Sequence, residues 1–355
     1  MQERRKLLLV HHFPLTNVTG VTVMIGEMLK RVPRLAPTLD IAYLSYTNET
    51  AAELERRLDA DYDDVDCVVG VNLHIEVKWE LSEALARWCA RKAVPLYDNV
   101  QDYWRHHFEY LRVLTGRYGV LLVASSPFIR TSIEKEGFAS GDLPMGAQLP
   151  QRQPELQRPS HTVVGSVGRL VQRKRFADIA RGFRLARLGR SAELRLTLLR
   201  SWVFDDAMDD EQLRLVRAEI DVDGAEASKV SIQEVPKVPP EYSSWSSYVC
   251  ASDYEGFSMT PYEATYMGCP AIMSDIPPHR LMASSLFGEA AEEFLFPTGD
   301  AEALATRLSD EAASGRRRAY LQARLPAVRK IIEKRFSVDT TARALVQLCS
   351  GTASP

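Results

Sequence analysis

Little in this chain points to export, to a membrane or to nucleic acid. Cysteine is scarce: Cys67, Cys89, Cys250, Cys269 and Cys349 are scattered, odd in number and mostly set inside apolar segments. That pattern fits neither a disulfide frame nor a zinc site, and it predicts reduced core thiols in a cytoplasmic protein. No apolar run approaches the roughly 20 residues of a membrane span. The residues Met1 to Arg5 lead too quickly into an apolar stretch to form a signal peptide. An excess of one charge is also lacking; the net charge of -3 gives no support to a nucleic-acid binder, which is normally basic. What remains is ordinary for a globular protein, with 45% hydrophobic and 26% charged residues. At 355 residues the chain exceeds one compact core, so two domains are expected.

One stretch organises the rest: YEGFSMTPYEA at 254–264, which carries Glu255 and Glu263 with seven residues between them. Pro261 suits a first helical position, because its fixed φ fits the turn and its missing N–H is not needed there. Thr260 then falls at the N-cap and Glu263 three residues later, the spacing of a capping box. Gly268 and Pro270 close the helix after about two turns. A loop of small residues thus runs into a helix N-terminus, whose N–H groups and positive dipole end suit an anion such as phosphate. On this local grammar Glu263 either caps its own helix or faces a ligand. Glu255 lies outside the helix, after an apolar strand at 247–250, and a capping box has no use for it.

Elsewhere strand and helix signals alternate. Residues 6–13 read as a buried strand, 15–20 as a loop, and 21–32 as a helix with apolar residues at Val21, Ile25, Met28, Leu29 and Val32. Further strands are expected at 40–46, 65–71, 94–97 and 120–124, with helices at 51–58, 81–92 and 127–137. Residues 145–160 hold three prolines and four glutamines without periodicity and read as a linker. Beyond it, strands at 162–167, 194–199 and 230–235 alternate with helices at 177–188 and 209–220. Helices at 317–334 and 340–348 come last. In such βα repeats ligands bind at the carboxyl ends of the strands. The acidic run Asp59 to Asp66 precedes an apolar strand and reads as a solvated loop rather than a manganese site. Neighbours on a strand point to opposite faces, so the doublets His11-His12 and His106-His107 are poor chelators; one member of the first is expected to line a binding site.

The stretch from Glu255 to Glu263 resembles the E-x7-E motif of retaining GT-B glycosyltransferases, in particular glycosyltransferase family 4. The likeness continues through GCPAIMSDIP at 268–277, which is similar to that family's "GxPVVASDxP". GRLVQRKR at 168–175 resembles its "GRLxxxKG", with Arg175 where the family has glycine. Residues 98–102, Asp-Asn-Val-Gln-Asp, are similar to its "T-x-H-D", with Gln101 in place of histidine and Asp102 retained. Thr19-Gly20 stands where the family carries a glycine pair.

The resemblance implies an α/β protein of GT-B fold, two Rossmann-like βαβ domains facing each other across a cleft. The expected parts are an acceptor domain at 1–147, a linker at 148–160, a nucleotide-sugar domain at 161–337 and a C-terminal helix, 338–355, crossing back to the first domain. It implies transfer of a hexose from a nucleoside-diphosphate sugar, with retention of configuration and with no metal or other cofactor. Glu255, Arg169, Lys174, Gln101 and Asp102 are the implied catalytic group. Thr19, Gly20, Gly168, Val235, Gly256, Phe257, Ser258, Met259, Thr260 and Glu263 join Arg169 and Lys174 around the donor. His12 and Tyr103 are candidates for the acceptor, a small molecule, a glycan or a lipid-linked sugar. No nucleic acid and at most peripheral membrane contact are expected. Gln101 and Thr19 keep open a GT-B enzyme of another reaction, an epimerase or a pseudo-glycosyltransferase. A non-catalytic nucleotide or sugar sensor is the third reading.

Overall fold

A computed structural model of the chain describes residues 4–16, 19–46, 48–75, 78–102, 105–150, 160–200, 206–220, 229–234 and 242–350. The chain divides into two compact units, one formed by residues 1–146 together with 336–355 and the other by 147–335.

The first unit holds six parallel strands: β1 (Arg5–His11), β2 (Leu39–Ser45), β3 (Cys67–Val71), β4 (Leu96–Val100), β5 (Leu121–Ala124) and β6 (Ser140–Asp142). Their order in the sheet is β2-β1-β3-β4-β5-β6. The central strands are buried on both faces, which is why β1 and β3 read as unbroken apolar runs rather than alternating ones. Helices such as Ala51–Asp61 and Trp79–Lys92 cover the sheet, with Leu54, Leu58, Leu85 and Trp88 in a core shared with Leu8 and Val68. Three of the carboxylates at 59–66, those of Asp59, Asp63 and Asp64, are ion-paired while still partly exposed. Asp59 accepts from Trp88 Nε1 at 3.0 Å and pairs with Arg91 at 3.1 Å, while Asp63 pairs with Lys92 and Asp64 with Lys6. Among the described residues no group of three or more His, Cys, Asp or Glu is placed to hold a metal ion.

The last helix, Val338–Cys349, packs on Gly20–Leu35 in this unit. Arg31 Nη1 reaches Asp339 Oδ1 at 2.5 Å, and Arg5 Nη1 donates to the Cys349 carbonyl at 2.8 Å. All five cysteines are buried free thiols.

The second unit repeats the plan with β7 (Val163–Arg169), β8 (Glu193–Leu199), β9 (Lys229–Glu234), β10 (Ser247–Cys250), β11 (Ala271–Ser274) and β12 (Leu295–Phe296). The order is β12-β11-β10-β7-β8-β9, all parallel. Counted from β7 this is the 3-2-1-4-5-6 arrangement of a nucleotide-binding Rossmann unit, and the order reverses between β7 and β10. Gly165 belongs to β7 because the Trp245 ring lies on it; a Cβ there would come within 2.1 Å of the indole.

Candidate functional site

In an open parallel sheet the crevice forms where strands leave on either side of the reversal, beyond their carboxyl ends. In the second unit those ends belong to β7 and β10. β7 ends on Arg169 and the loop after it carries Arg173, Lys174 and Arg175, while the loop after β10 carries Asp253, Tyr254 and Glu255. The two loops are bonded to each other. Lys174 Nζ donates to Glu255 Oε1 at 2.6 Å, and Arg173 Nη1 to Oε2 at 3.0 Å. Burial works against a charge on Glu255, but Lys174 and then Arg173 hold its carboxyl well below the usual carboxylate range. Gly168 lies beside the lysine stem, where a Cβ would make only an ordinary contact of 3.5 Å with Lys174 Cε. Arg175 takes a left-handed turn at φ 52°, a position that favours glycine, and its guanidinium bonds Asp178 at 2.5 Å.

The helix that follows is Met259–Tyr266, with Ser258 at its N-cap. It starts two residues earlier than the capping-box reading requires, and that box does not form. Thr260 lies inside the helix, where its hydroxyl meets Tyr248 Oη at 2.6 Å. Pro261 tolerates the shift because the first turn leaves its N–H position without an intrahelical partner. Glu263, released from capping, accepts from the Gln148 N–H at 3.2 Å and from Tyr242 Oη at 3.1 Å. Burial raises its pKa to about 7, against the opposing pull of those two donors. Phe257 stacks on Tyr262 with ring centroids 5.1 Å apart.

Behind Glu255 lies a polar cluster that the sequence does not announce. His279 Nδ1 donates to the Ser274 carbonyl at 2.9 Å, which leaves Nε2 to face Cys250 Sγ at 3.6 Å. Burial would raise the thiol, but His279 brings it down to about 6. Ser252 and Ser258 flank the sulfur at 3.5 and 3.8 Å. The partners come from three separate segments, and no spacing rule joins them.

In the first unit the order reverses between β1 and β3, and a second polar cluster gathers there. His12 Nε2 meets the Asn72 carbonyl at 2.8 Å, and Asn72 Oδ1 accepts from the N–H groups of Gln101 and Asp102. Gln101 Nε2 donates to Asn99 Oδ1 at 2.7 Å, so its amide is turned into the unit. His74, not singled out by sequence, is fully buried between Asp98 Oδ2 at 2.7 Å and the Asp102 carbonyl at 3.0 Å. Burial opposes its protonation, yet Asp98 raises its pKa. Both ring nitrogens thus have acceptors to donate to, as an imidazolium requires. Burial instead pushes His11 down to about 3 and His12 to about 4, so both are neutral. His12 Nδ1, Gln101 Oε1 and His107 Nδ1 are buried without a partner. Thr19 caps the helix Gly20–Leu35, accepting from Thr22 N at 3.1 Å, with Gly20 as the first helical residue. Tyr103 and Val235 lie outside the described residues.

Residues 161–311 match the family Glycosyl transferases group 1. No curated protein matches the chain by sequence. Among solved structures, sucrose-phosphate synthase from Thermosynechococcus elongatus is similar at 14% identity and a TM-score of 0.73, covering 98% of this chain and 99% of that one. HepE of Anabaena in complex with UDP-glucose is similar at 13% identity and a TM-score of 0.73, with coverage of 98% and 99%. The lipopolysaccharide outer core galactosyltransferase WaaB gives 15% identity and 0.63, over 98% and 100%. At these identities the likeness shows the fold, which is that of the GT-B class: two α/β units, each built on a parallel six-stranded sheet.

Among the described residues no helix is long and apolar enough to cross a membrane.

Proposed function

We propose that the protein is a glycosyltransferase that moves a sugar from a nucleoside-diphosphate donor to a hydroxyl-bearing acceptor. The observation that carries this reading is the placement of Arg173, Lys174 and Glu255 on the two loops that flank the strand-order reversal of the second unit. Two basic side chains with one carboxylate suit a diphosphate leaving group beside a sugar. The match of residues 161–311 to Glycosyl transferases group 1 supports it, as does the bound UDP-glucose of the similar HepE structure. UDP is therefore the first nucleotide to test.

In the reaction the bond from the anomeric carbon to the diphosphate oxygen breaks, and a bond to the acceptor oxygen forms. Negative charge grows on the leaving diphosphate. Arg169, Lys174 and the N–H groups at Met259 and Thr260 are assigned to stabilise it, a role that helix N-termini and cations fill well. Glu263 is assigned the ribose hydroxyls and Glu255 those of the donor sugar. We further propose retention of configuration, with the departing phosphate oxygen taking the acceptor proton, and no requirement for a metal. Gln101 favours a second reading, an epimerase or pseudo-glycosyltransferase, because an amide cannot titrate as histidine does. The acceptor is assigned to the first unit, near His12 and the Gln101–Asp102 segment.

Calorimetric titration of UDP, GDP and ADP into wild type and Glu263→Ala tests the donor site. Tight binding of one nucleotide, weakened at least tenfold in the variant, supports it; no binding of any of the three removes the reading.

A further inference from the structure

Arg173 occupies one of the variable positions inside the basic loop, and nothing in that motif assigns it a role. Three bonds nevertheless tie it to the loop after β10. Its carbonyl accepts from the Asp253 N–H at 2.9 Å. Its Nη1 donates to the Tyr254 carbonyl at 2.8 Å and to Glu255 Oε2 at 3.0 Å. One terminal guanidinium nitrogen has two hydrogens in a fixed plane, so the two acceptors lock that plane. Lys174 holds the other carboxylate oxygen, Oε1, at 2.6 Å. The carboxylate is therefore held at both oxygens and cannot rotate about its last bond without breaking an ion pair. The side chains of Arg173 and Glu255 are 21% and 5% exposed, so the contact is shielded from water and is not an exposed surface pair.

We propose that Arg173 is a positioning residue: it fixes the plane of the Glu255 carboxylate so that the remaining lone pairs face the donor sugar. This deepens, and rests on, the assignment of Glu255 to the sugar. A lysine at the same position keeps the charge but is a point donor without the planar fork. It can hold Glu255 or the Tyr254 carbonyl, but not both in a fixed plane.

The test compares affinities for a nucleoside diphosphate and for its sugar, UDP against UDP-glucose, GDP against GDP-mannose and ADP against ADP-glucose. Calorimetry is run on wild type, Arg173→Ala and Arg173→Lys between pH 5 and 8. The ratio of the two affinities cancels whatever the Arg173 charge contributes to the diphosphate, and general damage to the fold lowers both together. Arg173→Ala is expected to weaken nucleotide-sugar binding by about tenfold relative to the bare nucleotide, with Arg173→Lys between it and wild type. The ratio of nucleotide-sugar to nucleotide affinity in the alanine variant should also fall as pH drops toward 5, where the wild-type ratio stays level because the Glu263 contribution cancels; Glu255 then keeps Lys174 as its one ion-pair partner, with the Ser252 hydroxyl beside it. An unchanged ratio and an unchanged pH profile in both variants overturn the inference while leaving the donor site standing. Failure of wild type to bind any of the six ligands overturns the glycosyltransferase reading, and the role of Arg173 with it. Should Arg173→Ala not fold, Arg173→Gln carries the same comparison.

Discussion

Lys174 Nζ stands 2.6 Å from Glu255 Oε1, and this bond spans the point at which the strand order of the second sheet reverses. The lysine follows β7 and the glutamate follows β10, so the pair joins the two loops that border the crevice. It is also a shielded pair, with the glutamate side chain 5% exposed.

Breaking that pair should cost stability as well as binding. Lys174→Met leaves the carboxylate with Arg173 as its one ion-pair partner, beside the Ser252 hydroxyl. The expected loss is about 2 kcal/mol, below the 3–5 kcal/mol of a fully orphaned buried charge. A double-mutant cycle with Glu255→Gln, followed by urea denaturation, should return a coupling of about 1–3 kcal/mol. Additive losses within error would show that the contact contributes nothing of its own.

Glu263 should make nucleotide binding depend on pH near neutrality. Its carboxyl is raised to about 7 by burial, and hydroxyl groups of a ribose are best held by the ionised form. Affinity for the preferred nucleoside diphosphate is thus expected to rise as pH increases through about 7 and then level off. Glu263→Gln should lie flat over the same range. The sign for stability is opposite. The folded state holds the proton more tightly than the unfolded chain, so this group's favourable contribution is complete below the usual 4.5 and is lost as pH rises through about 7. Wild type should therefore lose stability relative to Glu263→Gln across that window, and parallel curves would contradict the assignment.

The His74–Asp98 pair gives a third expectation, in the first unit. Asp98 raises the histidine pKa in the folded state, so the stabilisation is fully present below the usual 6.5. It should fade as pH climbs through the raised folded value. His74→Asn is expected to destabilise by about 3–5 kcal/mol at pH 6, because it leaves Asp98 buried without its cation. The gap to wild type should narrow at higher pH. A gap of constant size from pH 6 to pH 9 would mean that the ring is held by packing and not by its charge.

Sequence carried the frame well for reasons specific to parallel sheets. Strands buried on both faces are short apolar runs, so β1, β3 and β10 stood out, and the paired glutamates stood out by their fixed spacing. The helix at 259–266 was placed two residues late because Thr260, Pro261 and Glu263 satisfy a capping rule on paper. In the folded chain Tyr248 claims the threonine hydroxyl and Tyr242 claims the glutamate, and neither tyrosine is near in sequence. A capping box does form at Thr50 and Glu53, where no distant side chain competes. The short strand β6 and the Cys250–His279 and His74–Asp98 pairs share the same cause. Each depends on partners brought together by the fold, with nothing periodic in the sequence to mark them.

The return of the helix Val338–Cys349 to the first sheet has a consequence for how the protein is made. Arg5 meets the carbonyl of Cys349, 344 residues away. On the ribosome the second unit can be complete while the first still lacks the helix that packs on Gly20–Leu35. The first unit is then completed after the second, with the face of Gly20–Leu35 that receives the helix Val338–Cys349 uncovered until that helix has emerged. Chains that stop before residue 338 should leave that helix face uncovered, and the first unit is where chaperone engagement is to be sought.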